Sequence, residues 1–269
     1  MRILALNNGV SIPQVGFGTW QIPNEQTAEA VKHAIAVGYR HIDTAQAYAN
    51  ESGVGEGVRA SGIAREDIFV TSKVMAEIKD YETAKRSIEE SLARLELGYI
   101  DLLLIHCPQP WDEFRGEKRY FAENKAVWKA MEEAYQAGKV RALGVSNFLI
   151  DDVENILADC QVKPTVNQVS TYIGNTPIQL MEFCQANGIV MEAYCPNGHG
   201  AALKNPTVIE LAERYGVTPA QFCVQYTIQL DGVTLPKSLN PAHMKSNLEP
   251  GFTISEQDMA MLKQIVAPV

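Results

Sequence analysis

The sequence predicts an α/β fold, a (β/α)8 TIM barrel with an N-terminal β-hairpin, on three observations. Strand-like apolar runs alternate with amphipathic helix patterns from residue 15 to the end. The runs are continuous more than alternating, as expected of strands covered by barrel filling on one face and helices on the other. A chain of 269 residues also suits the about 250 that one such barrel occupies, so a single domain over 1–269 is expected.

The first element is a hairpin over residues 3–12, turning at Asn7-Asn8-Gly9, because Asn-Gly tolerates the positive φ of a tight turn. It reads as a lid on one end of the core. Strands are expected at 15–20, 41–45, 68–73, 100–106, 140–146, 165–169, 189–194 and 233–237. Helices are expected between them at 25–37, 51–60, 80–96, 119–137, 150–158, 176–187 and 205–230, the last broken near Gly216. Boundary chemistry supports these limits: Asp80-x-x-Thr83 and Ser255-x-x-Asp258 suit helix starts, and Pro177, Pro206 and Pro219 suit first turns. Gly38, Gly98, Gly138 and Gly188 suit helix ends. A doubly wound nucleotide-binding sheet is the competing fold. Its Gly-x-Gly-x-x-Gly fingerprint is missing, since Gly53-Val54-Gly55-Glu56-Gly57-Val58 lacks the last glycine and starts inside a helix pattern. Those glycines read instead as close helix packing.

Composition narrows the function classes. A formal charge of -9 argues against a nucleic-acid backbone as main partner, which needs clustered Lys and Arg. No apolar run reaches membrane-span length and the N-terminus lacks a secretory leader pattern, so a cytoplasmic protein without membrane partners is expected. Five scattered cysteines with no Cys-x-x-Cys pair read as reduced, mostly buried thiols, and no metal site is expected. The oligomeric expectation is a monomer or weak homo-oligomer.

A barrel of this kind builds its site from the C-terminal ends of its strands. Asp43 ends the second strand, Tyr48 follows it by one loop, Lys73 ends the third and His106 the fourth. A phenol is a poor acid at neutral pH, but a nearby ammonium favours phenolate and lowers its pKa. Lys73 can supply that charge, Asp43 can hold Lys73, and His106 can donate to a carbonyl oxygen. Together they would polarise and protonate a C=O as hydride reaches its carbon. Taken singly, each also reads as structure: an Asp–Lys pair, a packing Tyr, a rim His.

The chain resembles the aldo-keto reductases. The resemblance runs from Gly16-Phe17-Gly18-Thr19-Trp20 to Pro236-Lys237-Ser238, through His41-Ile42-Asp43-Thr44-Ala45 with Tyr48, Thr71-Ser72-Lys73 and Leu104-Ile105-His106. It continues through Gly144-Val145-Ser146-Asn147-Phe148, Val166-Asn167-Gln168 and Ala193-Tyr194-Cys195-Pro196. The short form is similar to the bacterial 2,5-diketogluconate reductase-like members. The resemblance implies a tetrad of Asp43, Tyr48, Lys73 and His106 that reduces small aldehydes or ketones, with Tyr48 as proton donor. It implies a nicotinamide cofactor whose carboxamide meets Ser146, Asn147 and Gln168 and whose ring stacks on Tyr194. It further implies an adenosine 2'-phosphate held by Lys237, Ser238 and the residue at His243, with Asn247 on the adenine. NADPH is therefore the expected cofactor. His243 stands where many relatives carry Arg, and a neutral His lacks the charged fork, so NADH use is also expected to be possible.

Trp20 and Trp111 are the candidates to line the substrate pocket. Three stretches depart from the family pattern and are expected to reshape the pocket wall: Cys107, Asn197-Gly198-His199 and Ser170-Thr171-Tyr172. With few residues after the last helix, an open and permissive site is expected. Two rival readings remain at this level: a cofactor-binding regulatory or sensing subunit with negligible turnover, and a lyase using Lys73 as a Schiff base.

Overall fold

The computed structural model describes residues 2–248 and 250–266. Strands β1 (Ile3–Ala5) and β2 (Ser11–Pro13) pair antiparallel as the expected hairpin. Its turn is held by Leu6 N donating to Val10 O at 2.8 Å, with Gly9 at φ 83°.

Eight parallel strands then follow in chain order: β3 (Phe17–Gly18), β4 (His41–Asp43), β5 (Phe69–Val74), β6 (Ile100–Ile105), β7 (Val140–Ser146), β8 (Val166–Ser170), β9 (Val190–Tyr194) and β10 (Val233–Leu235). A parallel bridge between Val15 and Thr234, with Gly16 N donating to Thr234 O at 2.9 Å, joins the two ends into a barrel. Several strands are shorter than expected. The last stops at Leu235 because Pro236 has no N–H for the ladder. The second stops at Asp43, whose backbone oxygen accepts from both the N–H and the hydroxyl of Thr19.

The helices are α1 (Asn24–Val37), α2 (Glu51–Ala60), α3 (Tyr81–Leu95), α4 (Phe121–Gln136), α5 (Ile150–Leu157), α6 (Ile178–Ala186), α7 (Pro206–Arg214), α8 (Pro219–Ile228), α9 (Pro241–Leu248) and α10 (Glu256–Leu262). The expected 205–230 helix is two, because Thr218 and Gln221 form a capping box that starts α8 afresh with Pro219 in its first turn. Asp80 and Ser255 cap α3 and α10 as expected. The glycines of α2 are packing sites: a Cβ at Gly55 would lie 1.9 Å from Leu95 O of α3, and one at Gly57 2.6 Å from Ala28 O of α1. No helix among the described residues is long and apolar enough to cross a membrane.

Side-chain period two along each strand divides the core. Outward residues such as Ile42, Val70, Leu103 and Val145 pack against Val31, Val54, Ile88 and Val153 of the helices. Inside, an apolar cluster of Phe69, Leu102, Leu104, Ala142, Val166 and Val233 packs on Leu6 and Ile12, so the hairpin plugs that end of the barrel. Along β5 the inner face climbs from Phe69 through Thr71 to Lys73, from apolar floor to ionisable rim. All five cysteines are free, with Cys107, Cys184 and Cys223 buried.

Candidate active site

The four rim residues converge. Lys73 is fully buried, and its Nζ donates to Asp43 Oδ1 at 2.7 Å, Asp43 Oδ2 at 2.8 Å, Thr44 O at 2.9 Å and Tyr48 Oη at 3.3 Å. The short Gln46–Tyr48 helical turn after β4 swings Tyr48 back over the barrel mouth, and Gln46 is anchored by donating to Ser87 O and Ser91 Oγ of α3. The His106 ring meets Tyr48 edge-on at 5.6 Å and Trp111 at 5.3 Å. An ammonium engaged this fully is no free nucleophile, which removes the Schiff-base reading.

Burial opposes the Lys73 charge, yet the Asp43 carboxylate and the Tyr48 phenol hold the ammonium above its ordinary range. Burial, then the Lys73 charge, keeps His106 well below 6.5, so the ring is neutral. Its Nδ1 is enclosed without a partner, which leaves Nε2 as the nitrogen to face a ligand. The Tyr48 phenol departs from expectation. Burial pushes it above its ordinary value and outweighs the pull of Lys73, so the resting phenol keeps its proton.

A cavity of about 680 Å³ opens over these groups. Trp20, Trp111, Ser146, Asn147, Gln168, Tyr194 and Lys237 line it with Asp43, Tyr48 and His106. Ser238, His243 and Asn247 do not; they lie on the segment running outward from Lys237, where Ser238 Oγ accepts from Asn240 N at 3.0 Å. His243 is exposed and Asn247 buried on α9. Of the three departing stretches only Asn197-Gly198-His199 reaches the cavity. Cys107 is buried away from it, its carbonyl accepting from Lys79 Nζ at 3.0 Å, and Tyr172 packs beneath the loop, where a Cβ at Gly198 would lie 2.6 Å from its ring. The wall is therefore altered at one place, not three.

The residues present fit a nicotinamide. Tyr194 offers an aromatic face, its ring pinned by Oη donating to Asn147 Oδ1 at 2.8 Å. Ser146 Oγ donates to Gln168 O at 2.9 Å, and Asn147 Nδ2 donates to His106 O at 3.1 Å. Gln168 Nε2 is used by two carboxyl groups, so its amide oxygen remains to accept a carboxamide N–H.

Sequence reasoning missed Gln21, Cys195 and Leu203 on the cavity wall, which come from the connections after the strands. Of eight non-glycine residues with positive φ among those described, Gln21, Asn147, Cys195 and His199 line the cavity. Strained backbone concentrated there is a mark of a site held by its scaffold. It also missed Glu192, fully buried on β9 beneath Tyr194. A carboxylate amid Val190-Met191-Glu192-Ala193-Tyr194, two residues before the rim aromatic, shares its inward face, and that period was the available signal.

The pattern of the Aldo/keto reductase family matches residues 14–267. The glyoxal reductase of Bacillus subtilis (strain 168) is 41% identical over 256 residues, which span 94% of this chain and 89% of that protein. The aldose reductase structure from Schistosoma japonicum superposes with a TM-score of 0.90 at 34% identity, covering 100% of this chain and 93% of that one. A Bombyx mori aldo-keto reductase in complex with NADP gives 0.87 at 31%, covering 98% and 92%. With barrel, tetrad and whole-chain similarity in agreement, this chain belongs to the aldo/keto reductase family.

Proposed function

We propose that this protein reduces small aldehydes and ketones to alcohols with NADPH, in preference to NADH, and that Tyr48 delivers the proton. The observation that carries the reading is Lys73 Nζ, bonded to both Asp43 oxygens and 3.3 Å from Tyr48 Oη, beside a neutral His106 at the cavity floor. His106 and Tyr48 hold the substrate's carbonyl oxygen between them and draw electron density from its carbon. When bound, the nicotinamide cofactor supplies the hydride. Tyr48 gives up its proton to the developing alkoxide, and the fixed Lys73 charge stabilises the phenolate left behind. Asp43 keeps that ammonium in place, so little reorganisation accompanies transfer. In the reverse direction the phenolate accepts the alcohol proton. Trp20 and Trp111 shield the floor from water and bound the substrate.

Ser146, Asn147, Gln168 and Tyr194 are the proposed nicotinamide contacts, and Lys237, Ser238, His243 and Asn247 the proposed adenosine-end contacts. The glyoxal reductase relative makes small 2-oxoaldehydes the first substrates to try.

The test is steady-state oxidation of NADPH and of NADH over a panel of aldehydes and ketones, with wild type and Tyr48→Phe. The variant is expected to lose about 100-fold or more in kcat, as when a general acid is removed, while still binding NADPH. Turnover near the wild-type rate would remove Tyr48 as the donor. Cofactor binding without turnover on the whole panel would instead favour the sensing role.

A further inference from the structure

Glu192 is a fully buried carboxyl that the proposed chemistry does not use. One oxygen, Oε2, accepts from Gln168 Nε2 at 2.7 Å. The other, Oε1, has no hydrogen-bond partner and lies 3.7 Å from His41 Nε2, which is itself 3.0 Å from Thr71 Oγ1. Enclosing a half-satisfied carboxyl in a barrel core is costly, and an aliphatic side chain would fill the same layer without that cost. The hydrogen bond it makes is therefore the feature to explain.

That bond lands on Gln168, whose other amide hydrogen goes to Asp43 Oδ2 at 2.9 Å. The two ends of an amide differ in function: the nitrogen only donates and the oxygen only accepts. Asp43 is ion-paired to Lys73 and accepts only, so the nitrogen must face it. With Glu192 taking the second hydrogen, both N–H groups point into the barrel. No described protein donor meets the oxygen, and it is left toward the cavity that Gln168 lines.

We propose that Glu192 is a positioning residue for the cofactor, holding Gln168 in the one amide orientation that offers its oxygen to the nicotinamide carboxamide. This rests on the reading of Gln168 given above. Gly16 leaves room for the His41 ring beside Glu192: a Cβ there would lie 2.6 Å from His41 Nδ1. With Glu192 gone, one N–H of Gln168 is left buried and unpaired, and the amide hangs on the Asp43 bond alone, about which its plane can turn the oxygen away from the cavity.

The experiment compares binding of NADP with binding of 2'-phospho-ADP-ribose, which shares everything but the nicotinamide, by intrinsic fluorescence quenching. Glu192→Leu is expected to weaken NADP about tenfold, one hydrogen bond's worth, and to leave 2'-phospho-ADP-ribose unchanged. Glu192→Gln, whose amide oxygen accepts the same N–H, is expected to restore most of the difference. Equal loss for both ligands, or loss for neither, overturns the proposal. Retained 2'-phospho-ADP-ribose binding itself reports a folded barrel, and Glu192→Met serves in place of Glu192→Leu if that chain does not fold. A Gln168→Leu control separates the two levels. If it discriminates the ligands and Glu192→Leu does not, only the role of Glu192 falls; if it too fails to discriminate, the carboxamide reading falls with it.

Discussion

Burial acts on two neighbouring interior residues in opposite senses. It pushes the Glu192 carboxyl up from 4.5 to about 8, with the Asp43 charge adding to the shift, and it pushes His41 down from 6.5 to about 3. Between pH 4.5 and 8 the folded chain keeps a proton on Glu192 that the unfolded chain has lost, so this group lowers stability as pH rises. His41 works the other way between 3 and 6.5, where the unfolded chain binds the extra proton and stability grows with pH. From pH 6.5 to 8 only the Glu192 contribution of this pair remains. The unfolding free energy from urea melts is therefore expected to fall over that window in wild type, by at most about 1.4 kcal/mol per pH unit, and to flatten in Glu192→Gln. An equal slope in the two proteins would show that Glu192 ionises freely. At this scale Asp43, Tyr48, Lys73 and His106 were legible in the sequence because each closes or follows an apolar run. The direction of the Tyr48 shift was not, because it depends on how much water the assembled rim excludes.

Among the elements, α2 and α9 show how helices set site geometry from outside. Close glycine contacts press α2 between α1 and α3, and from it Glu51 accepts from Ser72 Oγ of β5 at 2.5 Å, beside Lys73. On the segment after Lys237, α9 is tied to the loop after α1 by Tyr39 Oη donating to Met244 O at 3.0 Å, a buried bond that fixes this helix against the barrel's outer layer. His243 is exposed on α9, among the proposed adenosine-end contacts. His243→Arg is expected to raise the NADPH over NADH preference in kcat/KM by about tenfold or more, the worth of a charged hydrogen bond. An unchanged ratio would place the 2'-phosphate elsewhere. Helix starts at Asp80 and Ser255 were readable because a cap is a local bond. Strand ends were less so: Asp43 stops pairing because its carbonyl is taken by Thr19, 24 residues earlier in the chain.

Over the whole molecule the barrel has two unlike ends: an apolar floor sealed by the hairpin and a polar rim bearing the chemistry. Ile12, fully buried, joins the hairpin to the floor. Ile12→Ala is expected to cost about 2–5 kcal/mol in chemical denaturation while leaving kcat of the folded enzyme unchanged, because the rim lies at the opposite end. A matching fall in kcat would mean that the floor and the rim are mechanically coupled. The order of strands and helices, the hairpin turn and the tetrad were determined by the sequence itself, because periodicity, capping and turn chemistry act within a few residues. Tertiary structure alone decided that Cys107 and Tyr172 stay off the pocket wall while His199 reaches it, that Cys195 and Leu203 come onto it, and that Glu192 holds Gln168. Those outcomes depend on side chains brought together from strands and loops far apart in the chain, where burial and geometry, not local pattern, select the partners.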